Sequence, residues 1–141
     1  MVLDTSALLA ILFGEPEAEL FSRAIAADPK CLVSAFSVLE ATVVLSARKG
    51  PAGVRELDLL LQSAAASIVS FDAEQALLAR AAYEAFGKGR HPAALNLGDC
   101  CSYALARSSG EPLLFKGEDF SRTDATRVRV PSGEGAEISQ G

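Results

Sequence analysis

Short apolar runs alternate along the chain with longer segments in which apolar residues recur at helical spacing. The short runs predict strands at residues 2–3, 31–33, 67–71 and 113–115, and a short edge strand at 127–130. The segments between the strands predict helices, which open at hydroxyl or carboxyl caps and end at glycine or proline. This alternation is typical of a three-layer α/β/α, Rossmann-like fold, in which helices cover both faces of a central, mainly parallel sheet.

The length of 141 residues suits one domain with a substantial core. Residues 131–141 are rich in glycine, serine and glutamate, so we expect a domain at 1–130 followed by a flexible tail. No apolar run is long enough to span a membrane, which favours a cytoplasmic protein without a membrane partner. The three cysteines, an odd number, favour buried thiols over a disulfide framework or a structural zinc site.

Acidic residues stand where such a fold places its strand ends and helix starts. Asp4 directly follows the first strand, and Asp119 comes shortly after the fourth. Asp99 stands near the start of the last helix. Taken alone, Asp4 and Asp99 are each explained equally well as a turn or capping residue.

Glu40 occupies an apolar stretch of the third helix. It shares the predicted apolar face of that helix, which comprises Phe36, Val43, Val44 and Ala47. A carboxylate on such a face is costly unless it is paired, protonated or bound to a metal. A position at the edge of the stripe, within reach of water, is an equally good interpretation.

The acids also have one joint explanation. Because parallel strands end at the same edge of a sheet, we expect four acids to meet there, namely Asp4, Glu40, Asp99 and Asp119. Two ionised carboxylates about 4 Å apart repel by roughly 4 kcal/mol at an effective dielectric constant of about 20. A hard divalent cation such as Mg²⁺ or Mn²⁺ would offset that repulsion, and such ions suit phosphoryl chemistry because they activate water and neutralise phosphate charge.

Short motifs around these acids resemble one family. Residues 2–8, Val-Leu-Asp-Thr-Ser-Ala-Leu, resemble the opening motif of PIN-domain nucleases, and residues 37–40 resemble the segment that carries their helix-borne glutamate. Residues 97–104 resemble the third motif, and residues 115–120 the fourth. The length is similar to that of the VapC-type toxins of bacterial toxin–antitoxin pairs, and the resemblance covers residues 1–130.

The resemblance implies a PIN-like α/β/α fold and an endoribonuclease that uses Mg²⁺, with Mn²⁺ as a substitute. It implies that the catalytic, metal-binding residues are Asp4, Glu40, Asp99 and Asp119. It further implies that Thr5 or Ser6 orients Asp4 or a metal-bound water, and that Asp124 is an additional outer acid. The position after the strand and the following phenylalanine favour Asp119 over Glu118 as the acid of the fourth motif.

The same resemblance implies an RNA substrate, a VapB-type antitoxin and a homodimer. A net charge of −5 argues against nucleic acid, but several of the acids belong to the predicted metal site or to the tail. Lys116 and Arg122 flank the fourth motif and are the first choices for contacts with RNA phosphates. We expect an antitoxin helix to occupy an apolar groove formed by Leu12, Phe13, Phe21 and Phe36.

Two other functions fit parts of this pattern. A PIN-fold nuclease of RNA processing, without an antitoxin, needs the same acids. A non-enzymatic phosphoacceptor-like signalling domain has a similar fold, but it needs acidic residues beside its acceptor aspartate, and Asp4 has no acidic neighbour.

Overall fold

The computed structural model describes residues 1–130, so the predicted tail at 131–141 lies outside the described residues. The elements in chain order are β1 (Val2–Leu3), α1 (Thr5–Leu12), α2 (Ala18–Ala27), β2 (Leu32–Ser34), α3 (Ala35–Ser63), β3 (Ser67–Val69), α4 (Ala73–Phe86), α5 (Leu97–Ser109), β4 (Leu113–Leu114) and a 3₁₀-helix (Asp119–Arg122). No helix within residues 1–130 is both long and apolar enough to cross a membrane.

The strands form a four-stranded parallel sheet in the order β3-β2-β1-β4. Alternate strand residues face opposite layers: Leu3 and Leu114 pack with α1, α2 and α3, whereas Val2 and Leu113 pack with α4 and α5. The predicted three-layer α/β/α fold is therefore confirmed. The predicted edge strand at 127–130 is reduced to a single parallel bridge between Leu113 and Arg127.

Helix α3 is divided at its middle. The Gly50-Pro51 pair predicts that one helix ends and the next begins there, and the structure confirms this, because the run of 29 residues is broken at Gly50, where φ is 65° and ψ is −158°. Pro51 directly follows this break. Proline suits the first turn of the next helical segment, because it lacks the N–H that a first turn leaves unpaired. The chain thus changes direction without a separate loop.

The predicted apolar face of α3 was wrong. The residues that α3 buries in its first half are Ser37, Ala41 and Leu45, while Val43 is 61% exposed. Ser37 and Ala41 are small and Leu45 is fully buried, whereas Leu39 and Val43 point away from the core. The four residues of the expected antitoxin groove do not line one groove. Phe21 belongs to the core, and Phe36 lines a groove beside α4 and α5 rather than beside α1 and α2.

Candidate active site

Asp4 lies at the carboxyl end of β1, where the sheet hands over to α1. Asp4 is the cap of α1, as one interpretation of the sequence has it, because its carboxylate accepts a hydrogen bond from the Ser6 backbone N–H at 3.0 Å. The same oxygen accepts a hydrogen bond from the Ser6 hydroxyl at 2.6 Å. Burial raises the pKa of Asp4, and the hydroxyls of Ser102 and Ser6 oppose that rise.

Asp99 is fixed at the first turn of α5 by a reciprocal pair of hydrogen bonds. Its backbone N–H donates to Oδ1 of Asn96 at 2.9 Å, and its Oδ2 accepts from the Asn96 backbone N–H at 3.0 Å. Burial raises the pKa of Asp99 to about 7, helped by the carboxylates of Asp4 and Asp119 and opposed by the Asn96 N–H. Asp99 is therefore both a capping residue of α5 and one of the group of acids.

Asp119 begins the short 3₁₀-helix after β4 and is exposed. Asp119 contributes to the raised pKa of Asp99 through its charge and through an interaction between the two side chains. The neighbouring Glu118 is also exposed, and its side chain makes no capping hydrogen bond. Of these two residues, it is Asp119 that affects the pKa of Asp99.

Glu40 reaches across the first turn of α5. A Cβ added to Gly98 would lie 2.4 Å from both carboxylate oxygens of Glu40, so the absence of a side chain at Gly98 makes room for that carboxylate. Glu40 is half-buried, and Gly98, against which its carboxylate lies, is the residue before Asp99. Its carboxylate lies against α5. The sequence offered two other places for it, on the apolar face of the third helix or at the edge of that face, within reach of water.

Buried hydroxyls connect the elements that carry the acids. The Ser102 and Ser37 hydroxyls lie 3.3 Å apart, and both side chains are fully buried. Ser102 follows Asp99 by three residues on α5, and Ser37 precedes Glu40 by three on α3, so each serine shares a helix face with an acid. That spacing, together with the Asn96-x-x-Asp99 capping pattern, was the sequence signal that could have identified these residues.

Ser6 also links β1 to the fourth motif, because the backbone N–H of Lys116 donates to its hydroxyl at 3.0 Å. The ammonium group of Lys116 pairs with Glu15 and also lies 3.4 Å from Glu17, so nearby carboxylates compensate its charge. Arg122, the other predicted RNA contact, is exposed at the end of the 3₁₀-helix.

Asp124 and Thr5 take different places. Asp124 accepts a hydrogen bond from the Tyr103 hydroxyl and lies 3.7 Å from Arg107, so its polar contacts are with α5 rather than with the acids. The Thr5 hydroxyl oxygen is buried and has no hydrogen-bond partner among residues 1–130. It is a free oxygen donor directly beside Asp4.

The chemistry of these donors suits a hard cation, since carboxylate and hydroxyl oxygens are the ligands that Mg²⁺ and Mn²⁺ prefer. Within residues 1–130, however, no three acidic, histidine or cysteine side chains already form a group that could hold a metal ion. The predicted metal site therefore stays a prediction. The adjacent thiols of Cys100 and Cys101 are buried, and burial raises the pKa of each to about 11.

Solved structures share this fold at low sequence identity. The VapC20 toxin of Mycobacterium tuberculosis, described as cleaving the sarcin–ricin loop, has a TM-score of 0.74 at 19% identity, covering 91% of this chain and 98% of that one. A toxin–antitoxin complex from Klebsiella pneumoniae has a TM-score of 0.68 at 18% identity, covering 90% of this chain and 95% of its own.

Curated relatives match almost the whole chain at much higher identity. Ribonuclease VapC30 of Mycobacterium tuberculosis is 56% identical over 131 residues, which is 93% of this chain and 100% of the relative. Ribonuclease VapC of Mycolicibacterium smegmatis is 56% identical over 128 residues, 91% of this chain and 99% of the relative. The family described as the PIN domain matches residues 1–126. The chain belongs to the PIN-domain family and, within it, to the VapC ribonucleases.

Proposed function

We propose that this chain is a metal-dependent endoribonuclease that acts as the toxin of a toxin–antitoxin pair. The observation that carries the proposal is the buried pair Asp4 and Asp99, whose site Asp119 shares and in which the pKa of Asp99 is raised to about 7. A protein gains nothing in stability from packing these acids together, since each raises the cost of ionising the next. Such an arrangement is typical of a site built for chemistry.

The residues that would hold Mg²⁺ or Mn²⁺ are Asp4, Asp99 and Asp119, with Glu40 and the Thr5 hydroxyl as further oxygen donors. When bound, such an ion activates a water and neutralises charge on the attacked phosphate. The chain's own part is to hold the carboxylates before substrate arrives: the Ser6 hydroxyl fixes Asp4, and the Asn96 backbone N–H fixes Asp99. Each carboxylate keeps a second oxygen that these hydrogen bonds do not use.

The protonation state of Asp99 sets when the site is ready. At pH well below 7 its carboxyl carries a proton, which reduces its value as a ligand, and at higher pH it is ionised. Arg122 lies just beyond Asp119 and is free to meet an RNA phosphate. Lys116 can contribute only when phosphate replaces the carboxylates of Glu15 and Glu17 that now pair with it.

The direct test is cleavage of RNA by the purified chain with EDTA, Mg²⁺ or Mn²⁺. Asp4→Asn keeps the shape of the side chain and removes its charge, so we expect a loss of at least tenfold in rate at limiting metal. Asp58→Asn is the matched control, because Asp58 is exposed on α3 away from the acids. Metal-independent cleavage, or wild-type cleavage by Asp4→Asn, would contradict the proposal.

The toxin role requires a VapB-type antitoxin as partner. What supports it is the identity to VapC ribonucleases and the fold shared with the toxin of a toxin–antitoxin complex. Expression of the chain alone should arrest bacterial growth, and co-expression of the small protein encoded beside it should restore growth. Normal growth despite active, folded protein would favour the alternative, an RNA-processing nuclease without an antitoxin.

A homodimer is the expected assembly, and an exposed apolar surface supports it. This apolar surface comprises Phe36, Leu39, Val43, Phe71 and Leu97. Leu39 is 60% exposed and Leu97 is 71% exposed, although apolar side chains of this size are usually buried. An apolar cavity of about 410 Å³ lies between Phe36, Phe71, Leu97 and Tyr83. We propose that a second copy of the chain covers this surface.

A further inference from the structure

Tyr103 and Asp124 join the helix that carries Asp99 to the segment that carries Asp119. Tyr103 follows Asp99 by about one turn of α5, is only 7% exposed, and donates its hydroxyl hydrogen bond to Oδ1 of Asp124. Oδ2 of Asp124 lies 3.7 Å from Arg107, one turn further along α5. Asp99, Tyr103 and Arg107 therefore follow one face of α5, and the segment after β4 runs alongside that face.

The segment around Asp119 has an anchor on each side. Before it, the backbone N–H of Lys116 bonds to the Ser6 hydroxyl at 3.0 Å. After it, Phe120 is buried in the core, and then Asp124 meets Tyr103. Asp119 itself is exposed, so core packing does not hold its carboxyl in place. Its place beside Asp99 therefore depends on how firmly the segment is held.

We propose that the Tyr103–Asp124 hydrogen bond is a positioning device that holds Asp119 beside Asp99. The inference rests on the proposed function and deepens it, because it assigns Asp124 a role through Tyr103 rather than as a ligand. The two anchors, at Ser6 before Asp119 and at Tyr103 after it, fix both the distance and the direction of the segment. Holding a ligand in place before the metal arrives is what raises metal affinity at such sites.

A simpler account is that other contacts already hold the segment. Phe120 packs against Phe115 with ring centroids 5.0 Å apart, and the Leu113 backbone N–H bonds to the Thr126 carbonyl at 2.8 Å. If these contacts suffice, loss of the Tyr103 hydroxyl changes nothing at Asp119. The two explanations therefore predict different outcomes when the Tyr103 hydroxyl is removed.

The variant that separates them is Tyr103→Phe, which removes the hydroxyl and keeps the ring against Phe86, 6.0 Å away between centroids. Tyr83→Phe is the matched control, because Tyr83 is 42% exposed and its hydroxyl makes no hydrogen bond to residues 1–130. Asp124→Ala removes the acceptor, whereas Asp124→Asn retains an oxygen that can still accept from Tyr103. Melting temperatures of all variants establish that each is folded.

The first readout is amide hydrogen exchange of residues 116–124 without metal, and the second is Mn²⁺ affinity by titration calorimetry. We expect faster exchange and about tenfold weaker Mn²⁺ binding in Tyr103→Phe and Asp124→Ala. Asp124→Asn and Tyr83→Phe should stay close to wild type. Wild-type exchange and Mn²⁺ affinity in both Tyr103→Phe and Asp124→Ala would overturn the proposal.

A double-mutant cycle tests whether the effect passes through Asp119. In an Asp119→Asn background, Tyr103→Phe should cause no further loss of Mn²⁺ affinity, because the ligand that it positions is already gone. A full additional loss there would overturn the proposal. RNA cleavage is measured in parallel: absence of cleavage by wild type would refute the proposed function, whereas the exchange data would still decide the role of Tyr103.

Discussion

Asp99 combines a structural and a chemical role in one side chain. One carboxylate oxygen completes the capping box of α5, and the group still lies close enough to Asp4 and Asp119 to feel their charge. The first role holds the carboxyl at the start of α5, while the second makes its ionisation costly. The pKa of about 7 follows from burial first and from like charge second.

The raised pKa of Asp99 predicts how stability changes with pH. Between its ordinary value of 3.8 and about 7, the folded chain binds more protons than the unfolded chain. The free energy of unfolding should therefore fall as pH rises through this window, by up to about 1.4 kcal/mol per pH unit. Asp99→Asn should flatten that part of the profile, while Asp58→Asn should retain it. Urea unfolding of metal-free protein between pH 5 and 8 measures this, and equal slopes in wild type and Asp99→Asn would contradict it.

The buried hydroxyl pair makes a second prediction at this scale. Ser102→Ala leaves the Ser37 hydroxyl buried without its partner, which should cost about 1–3 kcal/mol of unfolding free energy. Adding Ser37→Ala removes the orphaned group, so the double variant should cost less than the sum of the single variants. Ser46→Ala, at an exposed position of α3, is the control. Strict additivity in urea unfolding would show that the two hydroxyls do not interact.

At the scale of elements, the sequence predicted those features that depend on residues close together in the chain. The strands, the carboxyl cap of α4 at Asp72 and the glycine end of α5 at Gly110 could be predicted because each depends on neighbours within a few residues. Asp4, Asp99 and Asp119 stand out in the sequence because they follow strands or open a helix, and their role at a metal site stays a prediction. The contact between Tyr103 and Asp124 was not, since it depends on where separate elements pass each other.

The exposed face of α3 shows where pattern reasoning fails. Periodicity identifies an apolar face, but it does not say whether that face meets the core or another surface. In the first half of α3 the core face is built from Ser37, Ala41 and Leu45, whereas Leu39 and Val43 are exposed. The helix is thus apolar on two faces, and only the packing of the sheet decides between them.

The break in α3 makes a prediction about backbone strain. Gly50 has φ 65° and ψ −158°, a combination that glycine alone adopts readily. Gly50→Ala should therefore lower the free energy of unfolding by about 1–3 kcal/mol, although an added Cβ would meet no atom within 4 Å. Gly110→Ala is the control with similar φ but ψ of 16°, where other residues are tolerated better. An equal or larger loss in Gly110→Ala, by urea unfolding, would contradict this interpretation.

At the scale of the whole molecule, the acidic site and the apolar surface are neighbours. Leu97 belongs to the apolar surface, and the next two residues, Gly98 and Asp99, belong to the site. A second copy placed on this surface would therefore stand beside the acids. Assembly and substrate access should influence each other as a result.

The apolar surface predicts a change of mass on substitution. Leu97→Glu places a charge within it, so the apparent mass at micromolar concentration should fall from that of a dimer to that of a monomer. Leu59→Glu is the matched control, because Leu59 is 63% exposed on the second half of α3. Sedimentation equilibrium is the measurement. A monomeric wild type, or a dimer that persists in Leu97→Glu, would contradict the assignment of this surface.

The cradle at Gly98 has a consequence for the genetics of a cell that carries this chain. A methyl group there would collide with the Glu40 carboxylate rather than with the backbone, so alanine should disable the site and spare the fold. Glycine and alanine codons differ by one nucleotide, which makes loss of toxicity accessible in a single step. Survivors of unopposed expression should therefore carry Gly98→Ala far more often than Ser46→Ala, since Ser46 is exposed on α3. Such survivors would still make a folded protein able to sequester antitoxin. In a cell that also carries active copies, less antitoxin would remain to inhibit them.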